Sequence, residues 1–251
     1  MSNPSFEAIL TDVEGTTTSI DFVKNVLFPF SFENAGNFIQ KLVVEKREPE
    51  HKKILDDLIK TSHEHAKESS EILVIQSKDN SETQISKLTA NVLLWIKQDK
   101  KYTALKNLQG LIWEDGYKNG LIKAHVYPDV PIAFERLNEA GINIHIFSSG
   151  SIKAQKLLYS HTEYGNLEKF ISSHFDTTIG PKFEKESYQR IVEQIGIAPN
   201  KILFLTDIEN EAFAAKAASL HVRLALRPGN AALSESALKE FKTFSSFEEI
   251  I

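Results

Sequence analysis

Two short apolar segments of the chain each end in a carboxylate, and these carboxylates could belong to one functional site. Residues 6–11 lead into Asp12, which Glu14 follows two positions later, and residues 201–206 lead into Asp207. Apolar segments of this length are typical of buried strands. Carboxylates bind hard Mg²⁺, and a carboxylate can also attack phosphorus covalently. The two acidic strand ends are therefore consistent with a Mg²⁺ site that acts on a phosphate group.

Hydroxyl and ammonium groups elsewhere in the chain suit the same chemistry. Ser148 and Ser149 follow the alternating apolar residues 142–146, and Lys182 follows the pair Gly180-Pro181. Serine hydroxyls can donate hydrogen bonds to phosphate oxygens, and a lysine ammonium can neutralise their charge. Taken singly, these residue types have ordinary roles, since aspartates occur in turns, serines cap helices and most lysines lie on the surface. Only their combination favours a functional site.

The elements that must position these residues alternate along the second half of the chain. From about residue 129, helical and strand-like patterns follow one another, which predicts a doubly wound α/β fold with a parallel sheet and helices on both faces. Ligands bind such sheets beyond the carboxyl ends of the strands. The predicted elements are a helix capped at Asp129-Val130-Pro131 and closed at Gly141, strands over 142–146, 201–206 and 222–226, a helix carrying Leu157 and Leu158, and a helix over 188–195 ended by Gly196.

Residues 20–125 have a different character, with helical periodicity, many charged residues and few strand-like segments. We predict an inserted α-helical cap domain over residues 20–125 and a catalytic core made of residues 1–19 and 126–251. Within the cap, residues 77–81 predict a loop before a helix. The cap is expected to close over the crevice and exclude water.

The composition of the whole chain limits the classes of partner. Hydrophobic residues make up 41% and charged residues 25%, as in folded globular proteins. The net charge of −5 disfavours binding to nucleic acid, and the absence of cysteine excludes disulfides and thiolate metal sites. No leader pattern or apolar segment of about 18 residues is present. We expect a cytoplasmic monomer that binds a small phosphorylated substrate and neither nucleic acid nor membranes.

Several other residues invite a functional interpretation that their surroundings do not favour. His63 and His65 lie two apart on a predicted helix, so they point to different faces, and we expect them to be solvated. Trp95 and Trp113 are more typical of core packing than of a substrate wall. Arg227 could bind an anion or anchor a loop.

Four segments, in order along the chain, resemble the motifs of the haloacid dehalogenase superfamily. They are Asp12-Val13-Glu14-Gly15-Thr16-Thr17, Ser148 or Ser149, Lys182, and the acidic segment from Thr206 to Glu211. Longer segments are similar to the enolase-phosphatase E1 family within that superfamily, and they include the inserted region. These are residues 12–18, 22–29, 103–110, 148–158 and 227–230.

The resemblance implies a role for each candidate residue. Asp12 would be the nucleophile and a metal ligand, and Glu14 and Asp207 would complete a site for one Mg²⁺ per subunit. The same likeness makes Ser148 and Ser149 ligands of substrate oxygens. Lys182 would neutralise the phosphate.

The implied reaction enolises 2,3-diketo-5-methylthiopentyl-1-phosphate and then dephosphorylates it to the acireductone 1,2-dihydroxy-3-keto-5-methylthiopentene in methionine salvage. Glu14 departs from the wider superfamily, where an aspartate acts as general acid and base, and it could serve the metal, proton transfer or both. Glu211 could bind the metal directly, contact a residue that binds the metal, or lie on the face of a helix. Two alternatives stay open: a phosphatase or phosphomutase for another small phosphomonoester, and a non-catalytic protein that binds a phosphorylated ligand.

Overall fold

The computed structural model describes residues 6–45 and 49–251, which form two compact units. The α/β unit contains the described chain up to Val23 together with Lys123–Ile251, and the helical unit is Lys24–Ile122. Residues 1–5 of the predicted core and 46–48 of the predicted cap lie outside the described residues. The domain boundaries that we placed after residues 19 and 125 stay a prediction.

A parallel sheet forms the centre of the α/β unit. Its strands are β1 (Ala8–Thr11), β2 (Asn143–Phe147), β3 (Ile171–Phe175), β4 (Ile202–Thr206), β5 (His221–Ala225) and β6 (Lys242–Phe244). Across the sheet their order is β3-β2-β1-β4-β5-β6, and every neighbouring pair is parallel. This order confirms the predicted doubly wound sheet. The direction of winding reverses between β1 and β4, which is where sheets of this kind bind their ligands.

The helices connect these strands and also build the insertion after β1. In chain order they are α1 (Ile20–Phe22), α2 (Phe28–Glu45), α3 (Pro49–His65), α4 (Ser81–Lys97), α5 (Thr103–Lys118), α6 (Asp129–Glu139), α7 (Ile152–Ser160), α8 (Lys185–Ile195), α9 (Glu209–Ala217) and α10 (Glu235–Glu240). A π-helical segment, Val23–Leu27, joins α1 to α2, and short 3₁₀ turns lie at Glu168–Phe170, Pro199–Lys201 and Phe247–Glu249.

Apolar and aromatic side chains hold the sheet to its helices. Phe147, Tyr188 and Phe204 are fully buried in one cluster, and the rings of Tyr188 and Phe204 lie 5.1 Å apart. Helix α8 ends as predicted at Gly196, whose φ of 74° is a left-handed conformation that glycine adopts without strain. This cluster packs β2 and β4 against α8.

The start of α6 differs from the prediction. The helix is present, but its N-cap is Pro128, which makes no side-chain hydrogen bond, and Asp129 is its first residue. The Asp129 carboxylate instead accepts hydrogen bonds from the Arg227 guanidinium and from the Phe247 backbone N–H. The capping prediction was wrong because a distant arginine competes for this carboxylate.

The helical unit has its own apolar core. Helix α2 packs against α4 and α5, and α3 packs against α2 and α5. Leu58, Leu88 and Trp95 are fully buried there. The predicted loop before α4 is confirmed, and Asn80 caps the helix by accepting a hydrogen bond from the Thr83 N–H. In the part of the chain that the structure describes, no helix is long and apolar enough to cross a membrane.

Candidate active site

A buried ion cluster lies where the sheet reverses its winding. Asp12 directly follows β1, and Lys182 lies in the loop between β3 and α8. The Lys182 Nζ is 2.6 Å from the Asp12 Oδ1 and 2.8 Å from the Glu211 Oε2. Asp12 and Lys182 are each only 6% exposed. The structure therefore brings together two of the predicted site residues, and it adds Glu211 from the first turn of α9.

The surroundings of Lys182 keep its side chain charged. Burial by itself would lower the pKa of this ammonium, but the nearby Asp12 and Glu211 carboxylates outweigh it and raise the pKa. The Tyr188 hydroxyl donates a 2.7 Å hydrogen bond to the Lys182 carbonyl, which fixes the backbone. The Nζ also lies 5.5 Å from the centre of the Phe147 ring. Lys182 is thus a fixed, desolvated cation.

Negative charge is in excess around that cation. Asp207, which follows β4, is 6% exposed. Burial, and next the charge of Asp12, raise the pKa of Asp207 to about 7. The same two causes raise the pKa of Glu211 to about 7, although Lys182 and a hydrogen bond from the Thr206 hydroxyl oppose them. A cluster of acids around one lysine favours the binding of a further cation.

The turn after Asp12 depends on a glycine. Gly15 has a φ of 70°, and a Cβ atom there would lie 2.4 Å from the Asp207 Oδ2 and 2.9 Å from the Asn230 Oδ1. The Asn230 amide donates hydrogen bonds to the carbonyls of Gly15 and Ala225, at 2.8 and 3.2 Å. Any side chain at position 15 would therefore push Asp207 away from its place. Sequence reasoning gave no role to Asn230.

The two predicted serines lie at the end of β2, the neighbour of β1. Ser148 is buried, and its hydroxyl accepts a hydrogen bond from the Gly150 N–H, whereas Ser149 is exposed. Neither serine caps the following helix. Ser151 caps α7, because its hydroxyl oxygen accepts a hydrogen bond from the Ala154 N–H. Residues 148–150, here called the strand-end loop, therefore lie between the end of β2 and the N-cap of α7 and are not part of the cap.

The chain is similar to known proteins over most of its length. A family model described as haloacid dehalogenase-like hydrolase matches residues 6–219. The enolase-phosphatase E1 of Caenorhabditis elegans is 45% identical over 246 residues, with 98% of this chain and 97% of that protein covered. The enolase-phosphatase E1 of Sulfurihydrogenibium sp. is 42% identical, with 97% of each chain covered. This chain belongs to the enolase-phosphatase E1 family of haloacid dehalogenase-like hydrolases.

Solved structures share the fold of this chain. The UTR4 protein of Saccharomyces cerevisiae is 32% identical and superposes with a TM-score of 0.75, with 97% of this chain and 99% of that chain covered. CbbY of Rhodobacter sphaeroides, solved with phosphate, is 15% identical with a TM-score of 0.56. The match covers 98% of this chain and 96% of the CbbY chain, and at this identity it shows the shared fold alone. The predicted resemblance is confirmed.

The donor set of this E1 family member fits a hard divalent cation. Mg²⁺ is usually held by one or two carboxylates and completes its coordination with other oxygens. Asp12 and Asp207 are two such buried carboxylates, and the Asn230 Oδ1 beside Asp207 is a buried acceptor without a hydrogen-bond donor. Among residues 6–45 and 49–251, no three His, Asp or Glu side chains are grouped as a complete metal cluster. Glu14 is exposed, and its role as a third ligand stays a prediction.

The remaining candidates have structural roles in this E1 family member. The Arg227 guanidinium donates to both Asp129 oxygens and to the carbonyls of Thr16 and Ser245, which matches the loop-anchor alternative. Trp95 is fully buried in the helical core, as expected. His63 contacts the Ile75 carbonyl, whereas His65 stacks on Tyr102 with 4.1 Å between ring centres.

Proposed function

We propose that the chain is an enolase-phosphatase that transfers the phosphoryl group of its substrate to Asp12 and then hydrolyses the aspartyl-phosphate. The observation that carries the proposal is the buried contact between Asp12 and Lys182 where the sheet reverses. A carboxylate that contacts a fixed ammonium is oriented for attack on phosphorus. The same ammonium stabilises the charge that develops on the transferring phosphoryl group.

The other site residues are assigned by their place around this pair. We assign Ser148 and Ser149 to phosphate oxygens, because the strand-end loop leaves β2 beside β1. Glu14 is exposed two residues beyond Asp12 and is assigned to proton transfer and metal support. Asp12, Asp207 and Glu14 would hold one Mg²⁺, which when bound supplies Lewis-acid stabilisation of developing negative charge. Glu211 holds Lys182 in place.

Family membership supports 2,3-diketo-5-methylthiopentyl-1-phosphate as the substrate and the acireductone 1,2-dihydroxy-3-keto-5-methylthiopentene plus phosphate as the products, a step of methionine salvage. The helical unit would act as the cap domain, since it is inserted directly after the nucleophile motif. A cysteine-free chain also supports a cytoplasmic location. We propose that the enzyme works there as a monomer.

The Asp12→Asn substitution tests the division of the reaction. An amide cannot form the aspartyl-phosphate, so release of phosphate should be abolished. Enolisation requires no nucleophile, and the variant at saturating Mg²⁺ should accumulate an enol phosphate. The experiment follows ultraviolet absorbance and free phosphate together, on the diketo phosphate and on a panel of sugar phosphates. Retention of more than a few per cent of phosphate release, with deamidation excluded, would refute Asp12 as the nucleophile.

A diketone left unchanged under Mg²⁺ shown to be bound would instead give Asp12 a part in enolisation. Faster release of phosphate by the wild type from a sugar phosphate than from the diketo phosphate would favour the alternative phosphatase. Phosphate binding by the wild type without any turnover would favour the non-catalytic alternative.

A further inference from the structure

A polar network that sequence reasoning did not identify lies behind the strand-end loop. The Gln155 side chain, on α7, is 3% exposed. Its amide nitrogen donates to the Gly150 carbonyl at 2.8 Å and to the Phe175 carbonyl at 2.9 Å. The first carbonyl belongs to the strand-end loop and the second ends β3. Because both amide hydrogens are used in this way, the Gln155 Oε1 must face its remaining neighbour, His174.

The contacts of His174 fix where its protons can be. Its Nδ1 lies 2.9 Å from the Gln155 Oε1, which only accepts, so Nδ1 carries a hydrogen. Its Nε2 lies 3.0 Å from both carboxyl oxygens of Glu168. A neutral imidazole with hydrogen on Nδ1 has a bare lone pair at Nε2, which a carboxylate would repel. One further proton must therefore lie between His174 and Glu168.

The groups around this pair favour its neutral form. Burial, and next the charge of Lys156 on α7, lower the pKa of His174 to about 4, whereas burial raises the pKa of Glu168 against the opposing effect of Lys156. Tyr159, the other titratable group of α7 at this place, has its ring centre 6.5 Å from that of His174. Burial raises the pKa of Tyr159, so its hydroxyl is uncharged. The lowered pKa of His174 and the raised pKa of Glu168 both favour placing the shared proton on Glu168, in the 3.0 Å contact with the His174 Nε2.

We propose that His174 and Glu168 are positioning residues of the phosphate site, which hold the strand-end loop through Gln155 by sharing one proton. This inference rests on the proposed function, because it takes the loop to bind phosphate. The hydrogen bonds form one chain from Glu168 to the Gly150 carbonyl. When the shared proton is lost at alkaline pH, the lone pair and the carboxylate repel each other and the loop loses its support.

Inorganic phosphate is the probe, measured as a competitive inhibitor of turnover across a range of pH. The variants are His174→Phe, Glu168→Leu and Glu168→Gln, whose amide N–H can donate to the His174 Nε2 without a titratable proton. The matched control is His145→Phe. His145 is buried on the neighbouring strand β2, and its Nδ1 contacts the Ser173 hydroxyl at 2.6 Å and not Gln155. Melting temperatures compare the structural cost of each change.

His174→Phe and Glu168→Leu should raise the inhibition constant for phosphate about tenfold, as losses in the supporting shell of a site commonly do. Glu168→Gln should restore most of this affinity, and its affinity should fall less with rising pH than that of the wild type. The inference is overturned if the control weakens phosphate as much as His174→Phe, or if the glutamine variant is as weak as the leucine variant. If His174→Phe does not fold, the comparison of Glu168→Leu with Glu168→Gln still tests the inference. If the wild-type protein neither turns over a phosphomonoester nor binds phosphate, the proposed function itself is contradicted.

Discussion

The two units of the molecule bury polar side chains for different reasons. In the α/β unit, the buried set includes the charged residues Asp12, Lys182, Asp207 and Arg227. Over the described part of the helical unit, the buried polar side chains are uncharged: Ser31, Ser62, Asn91 and Gln109. A buried charge is costly unless it is paired. Among the described residues, buried charged side chains therefore point to the α/β unit as the place where chemistry is performed.

Pairing separates a structural buried charge from a functional one. Arg227 is balanced by a bidentate contact with Asp129 and by two carbonyls, and its pair leaves no excess charge. Lys182 is shared by two carboxylates, with Asp207 close by. Excess charge, and not burial alone, therefore distinguishes the site from the anchor.

The largest expected effect is that of Lys182→Ala. Loss of the fixed cation should lower dephosphorylation by about 10²-fold or more, since a preorganised charge in a desolvated site stabilises the transition state strongly. Lys182→Arg should recover only part of the rate because the guanidinium is larger and planar. Steady-state phosphate release measures the effect, and the control is Lys201→Ala, whose side chain is 47% exposed. Near-normal turnover in the alanine variant would make Lys182 a structural residue.

The next effect falls on stability and belongs to the helical unit. The Asn91 amide accepts from the Leu73 N–H and donates to the Leu73 carbonyl and the Ser62 hydroxyl. Asn91→Leu would remove these three hydrogen bonds, and we expect the free energy of unfolding to fall by about 2 kcal/mol. Urea titration measures the loss. The turnover of the remaining folded enzyme should be unchanged, and a catalytic defect without instability would contradict the structural role.

The positions of Asp12 and Asp207 at strand ends could be predicted from sequence because their strands are almost wholly apolar. Strand β3 could not, since its sequence Ile-Ser-Ser-His-Phe is polar in the middle and it is only partly buried. The network of His174 therefore had no local signal. Asn230 and Arg227 act through contacts with residues more than two hundred positions away, such as Gly15 and Thr16. Local periodicity cannot reveal a contact that forms only when the whole sheet is assembled.

A smaller effect is expected from pH in the absence of Mg²⁺. The pKa of Asp207 in the folded protein, about 7, lies above the ordinary value of 3.8. The folded state therefore holds its proton more tightly, and stability should fall as the pH rises from about 4 to about 7. Thermal unfolding with a chelator should show a melting temperature a few degrees lower at pH 7.5 than at pH 5.

Asp207→Asn serves as the control for this pH dependence, because it removes one of the two acids whose pKa is raised to about 7 and should make the curve shallower, while Glu211 still titrates. Added Mg²⁺ should restore the melting temperature of the wild type at neutral pH more than that of the variant. Identical pH dependence in both proteins would show that excess acid at this site does not govern stability.

The smallest effect contrasts one glycine from each unit. Gly110 lies inside α5, and a Cβ atom built there meets nothing within 4 Å. Glycine inside a helix is less favourable than alanine by about 0.5–1 kcal/mol, so Gly110→Ala should stabilise the protein by about that amount in urea titration. At Gly15, the close Asp207 carboxylate and the positive φ make the same substitution destabilising, with weaker Mg²⁺ affinity by calorimetry. If Gly110→Ala weakens Mg²⁺ binding as Gly15→Ala does, the contrast between a functional α/β unit and a structural helical unit fails.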